Sequence, residues 1–211
     1  MGRMIFSIEE ILRTFGYFAL FGFVFAESGL FFGFFLPGDS LLFTAGILAA
    51  NGHLNIYTII LGSIICAFLG DQIGYWTGKR FGAAFFSKPD SFFRKPAYMD
   101  KAEEFYLKHG KKAIVLARFV PIVRTFAPIL AGTGRMDYPT FVTYNALGGI
   151  SWCLLLIGAG YILGNILPKS GEVLTLIILA IIVVSLIPVA NEAYGEWKKG
   201  KSTGKNEIRA K

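Results

Sequence analysis

Five ionisable residues, Glu27, Asp39, Asp71, Arg118 and Arg124, stand in stretches of sequence otherwise apolar enough for a bilayer interior. A charge at that depth costs about 2.5–3.5 kcal/mol on insertion scales, so each is expected to have a partner and, by default, a function. A purely structural pair of ion pairs is the plainer alternative, but apolar packing fills that role at lower desolvation cost.

The arginines point to anion chemistry. On an unbroken helix Arg118 and Arg124 would be about 240° apart, but Pro121 lies between them and a break there lets both guanidinium groups converge on one anion. A phosphate is the leading candidate, with a second carboxylate or a substrate carboxyl group as rivals. Glu27 and Asp39 flank the Pro37-Gly38 break in "FAESGLFFGFFLPGDSLLFTAG". Carboxyl groups in low dielectric can take up and release a proton, and they can equally neutralise the arginines. Both readings stay open.

Asp71 belongs to "LGDQIGYWTGKRFG", where Gly70, Gly74, Gly78 and Gly82 recur every four residues as a ridge for close helix packing. Asp71 is expected to be hydrogen-bonded inside the bundle, and Tyr75 and Trp76 to approach the cytoplasmic interface. Asp71, Tyr75, Pro37, Gly38, Pro121 and Thr125 are therefore supporting residues. His53 and His109 are isolated, and Cys66 and Cys153 sit inside apolar segments as small apolar residues. Neither a metal nor another cofactor is expected. With no His or Cys to serve the arginines as nucleophile or acid, a membrane phosphatase is disfavoured and no enzymatic activity is expected.

The elements that must position these residues are membrane elements. The 211 residues are 54% hydrophobic, 16% aromatic and only 17% charged, with mean hydropathy +0.56, all displaced toward integral membrane proteins. Segments 56–78, 141–166 and 173–190 are each expected to span the roughly 20 residues of a crossing. Segment 11–26 is expected as a retained first helix, since Glu9 and Glu10 occupy the place of a signal peptide's basic region.

Charge sets the expected orientation. Loop 79–112 carries nine Lys/Arg against four Asp/Glu, and the tail 191–211 is also basic, so both are expected in the cytoplasm. The net charge of +7 is read as a topology signal, and no nucleic-acid partner is expected. Within the loop, Asp100 and Glu103 have capping-box spacing ahead of an apolar stripe ending at Gly110. That pattern predicts an amphipathic helix on anionic lipid.

Segments 28–51 and 113–134 are too broken to cross and too apolar for solvent, and Asn51-Gly52 is the expected helix end that closes the first. They are expected to be re-entrant hairpins of opposite orientation, packed against each other because broken backbone at membrane depth must be buried or line a wet cavity. A repeat supports the pairing: Ala45-Gly46 and Leu61-Gly62 have the spacing of Ala131-Gly132 and Leu147-Gly148, which sets Gly38 and Asp39 opposite Arg124 and Thr125. The fold class is thus an all-α polytopic membrane protein. Two inverted hairpins pack among about four transmembrane helices in one domain, 1–190, followed by the tail.

The combination of "ESGLFFGFFLPGDSLL", "GDQIGYWTGKRFG", "RFVPIVRTFAPILAGTGRMDYPTF" and "LGGISW" resembles the bacterial DedA family, related to eukaryotic VTT-domain (SNARE-associated-type) membrane proteins. The resemblance runs from about Glu27 to Gly164. It implies a multi-pass inner-membrane protein, linked to returning undecaprenyl phosphate across the membrane; eukaryotic relatives scramble phospholipids. The family's essential acidic pair matches Glu27 and Asp39, and its essential arginine pair matches Arg118 and Arg124. Ile122 departs from the Gly of many members.

The function expected from residues and resemblance together is a lipid-phosphate flippase. Arg118 and Arg124 would hold the headgroup, with Glu27 and Asp39 coupling transport to H⁺ or Na⁺. The alternatives are a proton-coupled small-cation antiporter and a passive phospholipid scramblase. The expected partners are the lipid phosphate, the coupling ion, membrane lipids and, compatibly, further copies of the chain.

Overall fold

A computed structural model of the chain describes residues 8–30, 36–86 and 108–166. All belong to the first of two compact units, Met1–Leu167; the second, Pro168–Lys211, lies outside the described residues. So do the expected amphipathic helix, the span at 173–190 and the basic tail.

Every regular element among the described residues is helical: α1 (Ile8–Gly29), α2 (Gly38–Ala50), α3 (Ile56–Phe86), a 3₁₀ turn (Gly110–Lys112), α4 (Ala113–Ala117), α5 (Pro121–Thr133) and α6 (Tyr138–Ile166). Helix α1 is longer at both ends than the expected 11–26, and α3 continues past the expected 56–78 to Phe86, so the first part of the expected loop 79–112 is helical. Among the described residues two segments are long and apolar enough to cross a membrane, Ile56–Phe81 and Tyr138–Ile166.

Local chemistry sets the helix ends. Proline cannot continue a helix from its own N-terminal side but suits a helix start: α2 begins directly after Pro37, and α5 carries Pro121 in its first turn after an extended Val120. Helix α2 ends at Asn51, whose side-chain amide donates to the Ile47 carbonyl at 3.0 Å, followed by Gly52 in the left-handed region at φ 78°. This is the Asn51-Gly52 stop that the sequence predicts. Asn55 then starts α3 by accepting from the Tyr57 and Thr58 amides at 3.0 and 3.1 Å, the usual satisfaction of free N-terminal donors.

Helix α2 packs along α6, while α3 packs along both α5 and α1. Two of these contacts are built alike. A methyl on Gly46 of α2 would collide with the Ile157 carbonyl and lie 2.8 Å from the Tyr161 nitrogen of α6; a methyl on Gly132 of α5 would collide with the Tyr75 carbonyl and lie 2.8 Å from the Lys79 nitrogen of α3. The reciprocal glycines are Gly160, set on Phe43, and Gly78, set on Ile129. Gly46 and Gly132 are therefore equivalent, as the repeat predicts. Because Gly160 answers Gly78, the Leu61-Gly62 and Leu147-Gly148 pairs fall one helical turn out of step.

The glycine ridge of α3 serves two partners. Gly70 meets Phe25, Ser28 and Gly29 of α1, whereas Gly74 and Gly78 meet Pro128 and Ile129 of α5. A four-residue spacing drifts about 40° per step, so the ridge winds from one neighbour to the other.

The outside of these helices is apolar. Tyr57, Leu61, Ile65, Leu69, Ile73 and Trp76 along α3, and Leu147, Ile150, Leu154, Leu155 and Ile162 along α6, are exposed. The inside holds two apolar clusters, one around Tyr75, Phe126 and Phe141 and one around Leu42, Ile59 and Ile157. Glu27, Asp71, Arg118, Arg124 and Asn145 are buried. Charges inside and hydrocarbon outside is the distribution a bilayer selects and water does not.

Candidate functional site

Two breaks in the helical ladder, between α1 and α2 and between α4 and α5, bring four of the charges together. Glu27 lies in the last turn of α1, Asp39 in the first turn of α2 and Arg124 in the first turn of α5, while Arg118 follows the end of α4. Glu27 is 1% exposed. Its carboxylate lies so close to Gly38 that a Cβ there would take the place of Oε2. Gly38 is thus required by close approach rather than by the turn alone, and Glu27 and Asp39 both sit where the N-terminal amides of α2 favour negative charge.

Arg124 joins these two carboxylates. Its Nη2 pairs with Glu27 Oε1 and its Nη1 with Asp39 Oδ1 at 2.5 Å. The indole nitrogen of Trp152 donates to the same Asp39 oxygen at 2.9 Å. Arg118 takes a different set: Nη2 pairs with Asp71 Oδ2 and donates to Asn145 Oδ1 at 2.9 Å, and Nη1 donates to Ser28 Oγ at 3.4 Å. Both guanidinium groups lie by the Trp152 ring, at 5.2 Å for Arg124 and 5.8 Å for Arg118, within cation–π range.

The predicted residues are therefore assembled, with a different division of labour. Glu27 and Asp39 both go to Arg124, whereas Asp71, expected to be only hydrogen-bonded in the bundle, is the charge partner of Arg118. Thr125 is buried beside Arg124. Tyr75 is buried and donates to the Met136 carbonyl at 2.7 Å, while its neighbour Trp76 is exposed. A phenol can be buried once its hydroxyl is paired, and the Met136 carbonyl meets that need.

Ser28, Asn145 and Trp152 escape the sequence reading. An asparagine in the middle of an apolar helix is itself a signal of a buried polar partner, and Trp152 stands in the "LGGISW" motif. What hides them is distance: Asn145 and Trp152 meet residues of α1, α2 and the α4–α5 break only through the fold.

The arrangement has two chemical properties. Among the described residues it holds three carboxylates against two guanidinium groups, an excess of one negative charge when all are ionised. Exposure is also uneven: the Asp39 side chain is 43% exposed, while Glu27, Asp71, Arg118 and Arg124 are all buried. An anion approaching Arg124 would meet Asp39 first and would have to take over its place on the guanidinium, a planar fork suited to carboxylate and phosphate alike. Among the described residues no group of His, Cys, Asp and Glu is arranged to hold a metal ion.

A family model described as the VTT domain matches residues 36–162. Protein DedA of Escherichia coli K12 is 46% identical over 186 residues, covering 86% of this chain and 84% of that protein. An uncharacterized membrane protein of Mycobacterium leprae, ML0287, is 43% identical over 185 residues, covering 88% and 82%. Inner membrane protein YqjA of Escherichia coli K12 is 33% identical over 187 residues, covering 87% and 84%. No solved structure matches the chain.

Proposed function

The chain belongs to the DedA family of VTT-domain membrane proteins, and from that premise we propose that it is a transporter of a lipid phosphate, undecaprenyl phosphate in the first instance, across the bacterial inner membrane. The observation that carries this reading is Arg124, buried and held by two carboxylates of which one, Asp39, is half-exposed. Such a guanidinium is an anion site closed by an exchangeable internal anion. A phosphate headgroup displaces Asp39 and then Glu27 from Arg124, and protonation of the released carboxyls lowers the cost of leaving them unpaired. Arg118, anchored by Asp71 and Asn145, adds positive charge on the same indole. The isoprenoid tail stays in lipid.

In this reading the segments on either side of Pro37-Gly38 and of Phe119-Val120 are re-entrant hairpins of opposite orientation. The C-terminal end of α3, the connection from it to α4 and the C-terminus face the cytoplasm. The equivalent glycine crossings of α2 on α6 and of α5 on α3 are the surfaces on which one half rocks against the other. The surplus carboxylate is the coupling site for H⁺ or Na⁺, and the protein acts without chemical transformation of its cargo. The same surplus supports a second reading, a proton-coupled antiporter of small cations in which both arginines are structural.

The test is reconstitution in liposomes with a labelled polyprenyl phosphate. Transbilayer movement that depends on the phosphate, stops in Arg124→Ala and is slowed in Glu27→Gln is the expected result. Cation flux without lipid movement would replace this reading with the antiporter. Equal movement of diacyl phospholipids would make the protein a scramblase, and released inorganic phosphate would make it an enzyme.

A further inference from the structure

A second cationic site lies away from the Arg124 cluster, where α5 crosses α3. A cavity of about 400 Å³, in the size range of ligand sites, is lined by Tyr75, Lys79, Arg135 and Met136. Lys79 and Arg135 are exposed, and among the described residues neither forms an ion pair. The Lys79 ammonium instead sits 5.0 Å from the Trp76 ring centroid and 5.9 Å from that of Tyr75. Tyr138 packs on both of those rings, at 5.5 and 5.7 Å. The nearby carboxylate, Asp137, is engaged as the cap of α6, accepting from the Thr140 amide at 3.1 Å and its hydroxyl at 2.9 Å.

The loop that presents Arg135 is fixed. Tyr75 donates to the Met136 carbonyl from beneath, and Arg135 has φ 52°, a conformation for which glycine is the ordinary choice. The fold does not require the charges. At the equivalent crossing of α2 on α6, the residue that stands where Lys79 stands is Tyr161, and α2 there ends through Asn51 and Gly52 with no cation. Topology accounts for basic residues near a membrane surface, but not for two cations, neither in an ion pair among the described residues, lining one cavity beside Tyr75.

We infer that Lys79 and Arg135 form a docking site for a phosphomonoester group, walled by Tyr75 and Met136 at the membrane interface, where a headgroup is bound before or after it occupies Arg124. Arg135 supplies the bidentate fork and Lys79 a point charge. The ligand chemistry is shared by a lipid headgroup and free phosphate. As a stage in transport the site rests on the lipid-phosphate reading, but its binding can be measured without it.

The full chain in detergent is titrated with a short-chain prenyl monophosphate, and in parallel with inorganic phosphate and the matching prenyl alcohol. Bound ligand is counted by native mass spectrometry. In Arg124→Gln, one prenyl phosphate is expected to remain bound, weakening at least about tenfold when Lys79→Gln and Arg135→Gln are added. The charge-conserving Lys79→Arg with Arg135→Lys is expected to retain most of it. Inorganic phosphate lost through the same substitutions also supports the site and identifies free phosphate as a source; lipid phosphate bound alone identifies the headgroup. Binding untouched by the two substitutions, or equal binding of the alcohol, overturns the proposal. Unimpaired lipid movement in Arg124→Ala would refute the transport reading and leave this measurement standing.

Discussion

Replacing Arg124 with glutamine tests the energetic heart of the site. Glu27 is 1% exposed and Arg124 8%, so removing the guanidinium leaves a carboxylate buried without its counter-charge, a change that costs about 3–5 kcal/mol. Asp39 contributes little to that figure, because its side chain is 43% exposed and such pairs are worth about 0–1 kcal/mol. Glu27→Gln alone is milder, since Arg124 keeps Asp39 and the amide oxygen of glutamine still accepts. Combining the two substitutions removes the stranded charge, so Arg124→Gln with Glu27→Gln is expected to recover about 2 kcal/mol or more relative to additivity, within the range seen for residues in direct contact. The assay is reversible unfolding in mixed micelles for the wild type, both single variants and the double variant. Single-variant costs that add to within about 0.5 kcal/mol would mean that the pair carries no coupling, and the reasoning from burial would fail.

Three further outcomes follow from the same geometry. Arg118→Gln is expected to destabilise by about 3–5 kcal/mol because Asp71 is equally buried, and Asp71→Asn in the same chain should restore much of it in the same unfolding assay. Trp152→Phe removes the 2.9 Å bond to Asp39 and weakens the cation–π contacts, a loss of about 1–2 kcal/mol, and should increase hydrogen exchange at the start of α2. Gly78→Ala places a methyl against the Ile129 carbonyl and is expected to cost about 1–3 kcal/mol, whereas Gly158→Ala, with nothing within 4 Å, should be neutral or stabilising by up to about 1 kcal/mol, as read from thermal stability in detergent.

What was legible in the sequence was whatever local chemistry determines. Pro37, Pro121 and Asn51-Gly52 fix helix ends by the absence of a donor, by a preset φ or by left-handed backbone, and the structure has those ends. Costly charges in apolar sequence announced their own pairing. Which carboxylate meets which arginine was not legible, because Glu27, Asp39 and Asp71 are equivalent as charges and only packing distinguishes them. Gly70 sets α3 against α1 at the level of Asp71, and Gly78 sets α5 lower on the same helix, which delivers Asp71 to Arg118 and leaves Arg124 for α1 and α2. The helix register of the repeat was hidden for a related reason. Ala-Gly and Leu-Gly pairs look alike in sequence, and only the contacts of Gly78 and Gly160 reveal the one-turn offset.

The central claim is that Arg124 holds the travelling phosphate. It is tested most directly with the double variant Arg124→Gln and Glu27→Gln, in which the guanidinium is gone and the stranded charge has gone with it. Once its fold is verified by the unfolding assay, its transbilayer movement of polyprenyl phosphate in liposomes is compared with that of the wild type. The account predicts movement at the level of protein-free vesicles. Movement at the wild-type rate would contradict it.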